Sequence, residues 1–304
     1  MSSENQSART WTLAAVKPEL GGNPEFPWRS SRPLFPDDSS ADAPVTDRCE
    51  SIVMRFGPKA NGMGKYHIHH VCDNLYYMLQ GEMTSIIGGF RFKTRAGQAI
   101  FMPRDVPHAT GSYRDEEVYV WEIYSPSSIL QDGTHDSFPH DLPQTIVDSV
   151  TGNENGVRIW DLNELPEFPR GGDSPWRASR ILAGGGNVSA PDQVTDKTEI
   201  TLERFQAGVP VLGPYHLHRH SDTVWVVLKG MLTSIVGEER QETQAGEVIY
   251  MPAGLPHAVG NFASEEMVAL KVHAPSTYVS GTRDWHEVQL PPMVARSIGK
   301  SGTF

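Results

Sequence analysis

The chain says most of what it has to say twice. Tyr-His-Ile-His-His at Tyr66–His70 returns as Tyr-His-Leu-His-Arg-His at Tyr215–His220, with His67 and His216 lying 149 residues apart. At the same offset Phe101–His108 returns at Tyr250–His257, Met83–Gly88 at Leu232–Gly237, and Trp11 as Trp160. Pro27–Arg32 (PWRSSR) returns one residue short of it as PWRASR at Pro175–Arg180. An echo over nearly the whole length means two copies of one domain. The 304 residues suffice for two ordinary domains. The turn-rich Thr151–Gly156 (TGNENG) marks the join, so the expected domains are 1–150 and 151–304.

Within each copy, short runs rich in β-branched and aromatic residues are separated by Gly and Pro. SIVMRF, LYYMLQ, TSIIGG, AIFMP and VYVWEIY are answered by ITLERF, TVWVVLKG, TSIVG, EVIYMP and MVALKVH. This punctuation predicts strands. The 28 glycines and 23 prolines argue against long helices, and one short helical turn is expected at Leu142–Val150. Strands so short and numerous form a barrel or a double-sheet jelly roll. The expected class is all-β, two tandem β-barrels with few short helices.

Composition removes several functions. The net charge is −11, with no block of lysine or arginine. A nucleic-acid groove needs a positive stripe, so no nucleic-acid partner is expected. No apolar run reaches the length of a membrane span, and the polar opening MSSENQSART lacks a secretion-signal pattern. A cytoplasmic protein without a membrane partner is expected. Two cysteines, Cys49 and Cys72, support neither a disulfide framework nor a cysteine-based zinc site.

The histidines carry the chemistry. Residues two apart in a strand face the same side, so His67 should project with His69, and His216 with His218. A third histidine ends each Gly-x5-Pro stretch: His108 after Gly97 and Pro103, His257 after Gly246 and Pro252. Six of the twelve histidines thus hold matched places. One isolated pair is well explained as hydrogen-bonded imidazoles. Three per copy at repeated spacing point to metal, for which neutral imidazole is the commonest ligand.

These motifs resemble those of the cupins, and the duplication resembles a bicupin. The family's second motif has the form G-x5-P-x-G-x2-H-x3-N. Gly246, Pro252, Gly254, His257 and Asn261 follow it position by position, whereas in the first copy Asp105 replaces a Gly and Ser112 the Asn. The resemblance implies two tandem jelly-roll barrels, with His67, His69 and His108 as one metal triad and His216, His218 and His257 as the other. The glutamate of the family's first motif is missing twice. Asn74 and Thr223 stand in its place, and strand alternation turns the neighbouring Asp73 and Asp222 away. Oxalate decarboxylase-like and germin-like bicupins keep that glutamate. Gentisate dioxygenase-like cupins do without it and use iron(II) with three histidines. Three neutral ligands leave a divalent ion its full charge and open positions, which suits an anionic chelating substrate and O2.

The resemblance therefore implies a metal-dependent enzyme, a non-haem iron(II) dioxygenase acting on a phenolic acid, enediol or β-dicarbonyl. The rival readings are a non-redox zinc, nickel or manganese isomerase, lyase or cyclase, and a small-molecule-binding cupin without turnover. A homo-oligomer is compatible with either copy. Asn74, Tyr76 and Met78 should face the first interior, with Thr223, Trp225 and Val227 facing the second. Asn74, Tyr76 and Thr223 are the candidate catalytic residues, although barrel packing explains such positions more plainly. Arg55 and Arg204 are candidate carboxylate clamps, set against the ordinary expectation that strand charges face water. Arg29, Arg32, Arg177 and Arg180 should tie each N-terminal arm to a barrel. Tyr76 can donate and accept where Trp225 only donates, so the first copy is expected to carry the chemistry.

Overall fold

Phe90–Arg95 shows why these segments are strands. Phe92 and Thr94 are buried while Arg91, Lys93 and Arg95 are exposed, the period of two of a sheet with one face on a core. The computed structural model describes residues 8–35, 47–129, 133–164, 175–184, 195, 197–209, 211–279 and 282–292. Packing divides the chain into two units, Leu13–Pro166 and Met1–Thr12 with Glu167–Phe304.

In the first unit one sheet runs in the order Arg158–Asp161, Gln98–Met102, Asp73–Gln80, Val118–Ser125, Glu50–Phe56 and Arg29–Phe35. The other runs Phe138–Pro139, His67–Ile68, His108–Ser112, Glu82–Ile87, Phe90–Arg95 and Val147–Asp148, with Gly62–Met63 also paired to His108–Ser112. The second unit repeats the plan. Its sheets run Arg9–Thr12, Glu247–Met251, Asp222–Lys229, Met267–Ala274, Glu199–Phe205, Arg177–Ala183, and Glu239–Gln244, Met231–Val236, His257–Gly260, His216–Leu217, His286–Glu287.

The repeat and the packed units have different edges. Arg9–Thr12 pairs with Glu247–Met251, placing Trp11 opposite Val248. Arg158–Asp161 pairs with Gln98–Met102, placing Trp160 opposite Ala99. Each repeat thus lends its leading strand to a sheet built mostly by the other. The division 1–150 and 151–304 describes the repeat; the packing boundaries fall at Leu13 and Glu167.

One helical expectation fails. Leu142–Val150 forms no helix, and its Val147–Asp148 pairs in parallel with Phe90 and Arg91. Its apolar residues are too few and too exposed to cover a helical face, whereas an unpaired sheet edge offers backbone partners. A 3-10 turn occupies Glu154–Gly156 near the repeat join. Among the described residues no helix is long and apolar enough to cross a membrane.

The turn after Asp73–Gln80 requires glycine. Gly81 has φ 76° and a Cβ there would lie 2.4 Å from the Glu117 carbonyl oxygen; Gly230 matches it with φ 69° and 2.4 Å to that of Glu266. Only glycine meets both conditions cheaply. The apolar core of the first unit gathers Met54, Phe56, Met78, Met83, Phe92, Ile100 and Val120. That of the second gathers Phe205, Trp225, Val227, Leu232, Ile249 and Met267.

Candidate metal centre

His67 and His108 begin two short strands that pair with the histidines directly opposite each other, and His216 and His257 face each other in the same way. His69 and His218 lie just beyond their strands. Alternation alone therefore does not hold them; an aspartate does. The main-chain carbonyl of Asp136 accepts a hydrogen bond from His69 Nδ1. Its carboxylate accepts from the amides of His70 (3.0 Å), Val71 (2.7 Å) and Cys72 (3.1 Å). Asp284 serves His218 likewise, with its carboxylate on the amides of Arg219 (3.0 Å) and His220 (2.8 Å).

The other four rings are oriented by the same device. Nδ1 donates to the carbonyl of Lys65 from His67 (2.8 Å), of Val106 from His108 (3.1 Å), of Pro214 from His216 (2.8 Å) and of Leu255 from His257 (2.9 Å). A carbonyl only accepts, so Nδ1 must carry the proton and Nε2 is left with its lone pair. The ligating nitrogens of each triad lie within 4.8 Å of one another. Nε2 of His108 and of His218 is buried without a hydrogen-bond partner, an uncommon and costly state that a divalent ion would relieve. Burial depresses the imidazole pKa of His69, His218 and His257 to about 4 and of His216 to about 2, and lowers His67 and His108 as well. Neutral rings with converging lone pairs fit a metal.

Cys72, with His69 and Asp136, forms a third close group, but a different one. Its aspartate is occupied by amides, and burial drives the thiol pKa far up. Asp73 and Asp222 also have other work. Their carboxylates accept from the amides of Arg104 and Ala253, both at 2.8 Å, bracing the turns that lead to His108 and His257. Asp105, at the place of the motif's glycine, keeps a left-handed backbone with φ 62°, beside 81° at Gly254.

Strand register sorts the interior into layers. In the first unit Met78, Val120 and Met54 are level; next come Tyr76, Glu122 and Ile52; then Asn74, Tyr124 and Glu50. The second unit places Val227, Ala269 and Glu203 in the first layer, then Trp225, Lys271 and Thr201, then Thr223, His273 and Glu199. Tyr76 faces inward as expected, yet it lies across the sheet from Glu122 and its ring joins the apolar core. Asn74 Nδ2 donates to Glu122 at 3.3 Å. Thr223 Oγ1 lies 3.1 Å from His273 Nδ1, and the His273 ring stands 4.7 Å from that of His218.

A cavity of about 620 Å³ in the first unit reaches His67 and His69. Its wall includes Arg29, Lys65, Glu50, Tyr124 and His135, while Tyr76 lies a layer deeper. Arg29 was expected only to tie down an arm; instead its strand is part of the barrel, paired with Glu50–Phe56. Its guanidinium stacks toward Phe56 (5.8 Å), donates from Nε to Met54 Sδ (3.2 Å), and lies against Gly64, where a Cβ would come within 2.5 Å of Nη1. No ion pair holds it among the described residues. Arg177 stands at the matched place over Phe205 (5.4 Å), but Glu203 replaces Met54 and receives two hydrogen bonds from it, each 2.9 Å. Lys271, matched to Glu122, adds a contact to Glu203 at 3.0 Å. Arg55 and Arg204 point elsewhere, pairing with Glu117 (2.5 Å) and Glu266 (3.5 Å); Arg32 is exposed.

Sequence reasoning passed over Asp136, Asp284, Glu122 and Tyr124. Two signals mark them. Gly-Thr-x-Asp recurs at Gly133–Asp136 and Gly281–Asp284, and VYVWEIY and MVALKVH each place one charge inside an apolar run.

Known proteins share this fold. The cupin domain model matches residues 52–124 and 202–273. No curated protein sequence matches the chain. Salicylate 1,2-dioxygenase from Pseudoaminobacter salicylatoxidans is similar in structure. With gentisate the TM-score is 0.64 at 14% identity, over 88% of this chain and 81% of that one; another structure of the enzyme gives 0.65 at 13%, over 88% and 84%. An oxalate decarboxylase gives 0.57 at 15% identity, over 95% and 82%. Likeness at such identity establishes the fold. Two cupin domains, each with its own histidine triad, make this chain a bicupin.

Proposed function

We propose that the chain is a metal-dependent dioxygenase whose first barrel acts on a small, anionic, oxygen-chelating substrate such as a phenolic acid. His67, His69 and His108 would hold the ion. Iron(II) there would supply open positions at which a chelating ligand and O2 can meet. The observation that carries the reading is the cavity of about 620 Å³ that joins two of these histidines to Arg29 and Lys65. Arg29, which forms no ion pair among the described residues, can take a ligand carboxylate as a charge-assisted pair. Tyr124 offers a hydroxyl beside His69, with ring centroids 5.3 Å apart. The fold likeness to salicylate 1,2-dioxygenase supports the same reading. In the second barrel Glu203 already neutralises Arg177, which favours the first as the working site.

The test is oxygen dependence. Protein loaded anaerobically with iron(II) is mixed with phenolic acids, enediols and β-dicarbonyls, and product is measured before and after air is admitted. Turnover should begin only with O2 and consume it in proportion to product. Full turnover without O2 would move the chain to the lyases or isomerases.

A further inference from the structure

An indole lies on one ligand of the second triad. The Trp285 ring stacks on that of His216, with centroids 5.3 Å apart and planes 28° from parallel. His216 is already oriented by the Pro214 carbonyl, which accepts from its Nδ1 at 2.8 Å. The first triad has serine at this place, on a segment that corresponds bond for bond. The Asp136 amide donates to Ser128 O (2.7 Å) as that of Asp284 does to Thr277 O (2.6 Å). The Ser137 amide donates to His135 O (2.8 Å) as that of Trp285 does to Arg283 O (2.9 Å). The strands that follow also pair alike, Pro139 with His67 and Glu287 with His216. Ser137 is thus the counterpart of Trp285, and it lines the cavity that reaches His67 and His69. The same turn forms with serine, so the fold does not demand a large ring there.

The rest of the wall changes in the same sense. Tyr124 and Ile52 are half-buried and border the first cavity. Register matches them to His273 and Thr201, which are only 2% and 3% exposed. Thr223 holds His273 at 3.1 Å, and the His273 ring meets that of His218 edge-on at 4.7 Å. Arg177, the counterpart of the cavity residue Arg29, is taken up by Glu203. The donor set is nonetheless complete. The ligating nitrogens of His216, His218 and His257 lie within 4.8 Å of one another, and Nε2 of His218 is buried without a hydrogen-bond partner. A centre that keeps its ligands while its approach is packed with rings and ion pairs is suited to hold an ion, not to present it. Structural metal sites are closed, whereas catalytic ones keep an open position.

We propose that the His216–His218–His257 site is a closed, structural metal site and that Trp285 shuts it against incoming ligands. The first site is open because Ser137 stands where that indole would be. Trp285 supplies no ligand atom, so it governs how fast the ion exchanges and not how tightly it is held. A chelator strips a bound ion by first occupying an open position on it, and the shell around a metal controls that access. The role needs no hydroxylated ligand and so stands apart from the dioxygenase reading.

The test times the ion. Zinc-loaded His257→Ala keeps only the first ion and zinc-loaded His108→Ala only the second. Mixed with excess pyridylazoresorcinol, a chromogenic chelator, His257→Ala should release its zinc several-fold faster than His108→Ala. Adding Trp285→Ser to His108→Ala should raise its release to the rate of the first site and leave its equilibrium zinc affinity unchanged. Ser137→Trp added to His257→Ala should slow release there, and it decides the matter if Trp285→Ser does not fold. Equal rates from the two sites, or a rate that Trp285→Ser leaves as it was, overturn the closure. A zinc affinity that falls in proportion to the faster release overturns it too, because Trp285 would then only support His216. If His108→Ala retains no zinc, the second triad is not a metal site and the closure falls with it.

Discussion

Glu203 holds Arg177 through both carboxylate oxygens, at 2.9 Å each, and the first repeat has no such pair because Met54 stands where Glu203 would be. This exchange is one that sets the two barrels apart. In the second the arginine is consumed by the protein. In the first it lines a cavity and forms no ion pair among the described residues.

Arg29 should therefore recognise carboxylate. A charge-assisted hydrogen bond contributes about 1.5–3 kcal/mol, so Arg29→Gln should weaken 2,3-dihydroxybenzoate binding to the zinc-loaded protein by roughly 10- to 100-fold. Plain catechol should bind the variant about as tightly as the parent. Calorimetric titration of both ligands checks this, and equal losses for the two would remove Arg29 from the carboxylate site.

Each triad should hold one ion. His108→Ala and His257→Ala should each remove one of the two bound divalent ions per chain, and the double variant both. Elemental analysis after removal of loose metal gives the count. Full metal content in both single variants would refute the triads.

Asp136 acts through His69, so its loss should loosen metal without touching it. Asp136→Ala should lower metal affinity at the first triad about 10- to 100-fold, the usual cost of losing an outer partner. Asp105→Asn, which still tolerates the left-handed backbone and removes only the charge from the exposed pair with His70 (2.8 Å), should leave affinity unchanged. Competition with a chromogenic chelator separates the two.

Stability in acid should depend on Glu203. Burial pushes its carboxyl upward, but Arg177 and then Lys271 outweigh it and hold the pKa well below the ordinary 4.5. A folded pKa beneath the unfolded one contributes stability above about pH 4.5 that is lost as pH falls. Glu203→Gln should thus cost about 3–5 kcal/mol at neutral pH, because buried Lys271 and half-buried Arg177 lose their partner. The gap from the parent should narrow toward about pH 3. Urea denaturation at both pH values reads it, and a gap that widens in acid would contradict the assignment.

What the sequence made legible was local. The offset between His67 and His216, the paired His-x-His motifs and the Pro-x4-His turns all repeat within short windows, and they located the barrels and both triads. Asp136 was hidden because it reaches His69 from 67 residues away. Arg29 was hidden for a similar reason: its role follows from which residue lies across the sheet, and only register sets Arg29 opposite Phe56 and beside the Met54 layer. Tyr76 showed the limit of alternation, which tells the face a side chain takes but not its depth. The inward direction was legible; that Tyr124 would stand between it and the cavity was not.

The exchanged leading strands also set an order in time. Arg9–Thr12 leaves the ribosome long before its partner Glu247–Met251, and Thr12 bonds Glu247 across 235 residues. Arg158–Asp161, by contrast, follows its partner Gln98–Met102 closely. The first barrel can close its sheet while synthesis continues. The second must recover a strand made long before it, and contacts so distant along the chain are slow to form. Until then Glu247–Met251 has an open edge, the kind of surface on which unfinished chains pair with one another.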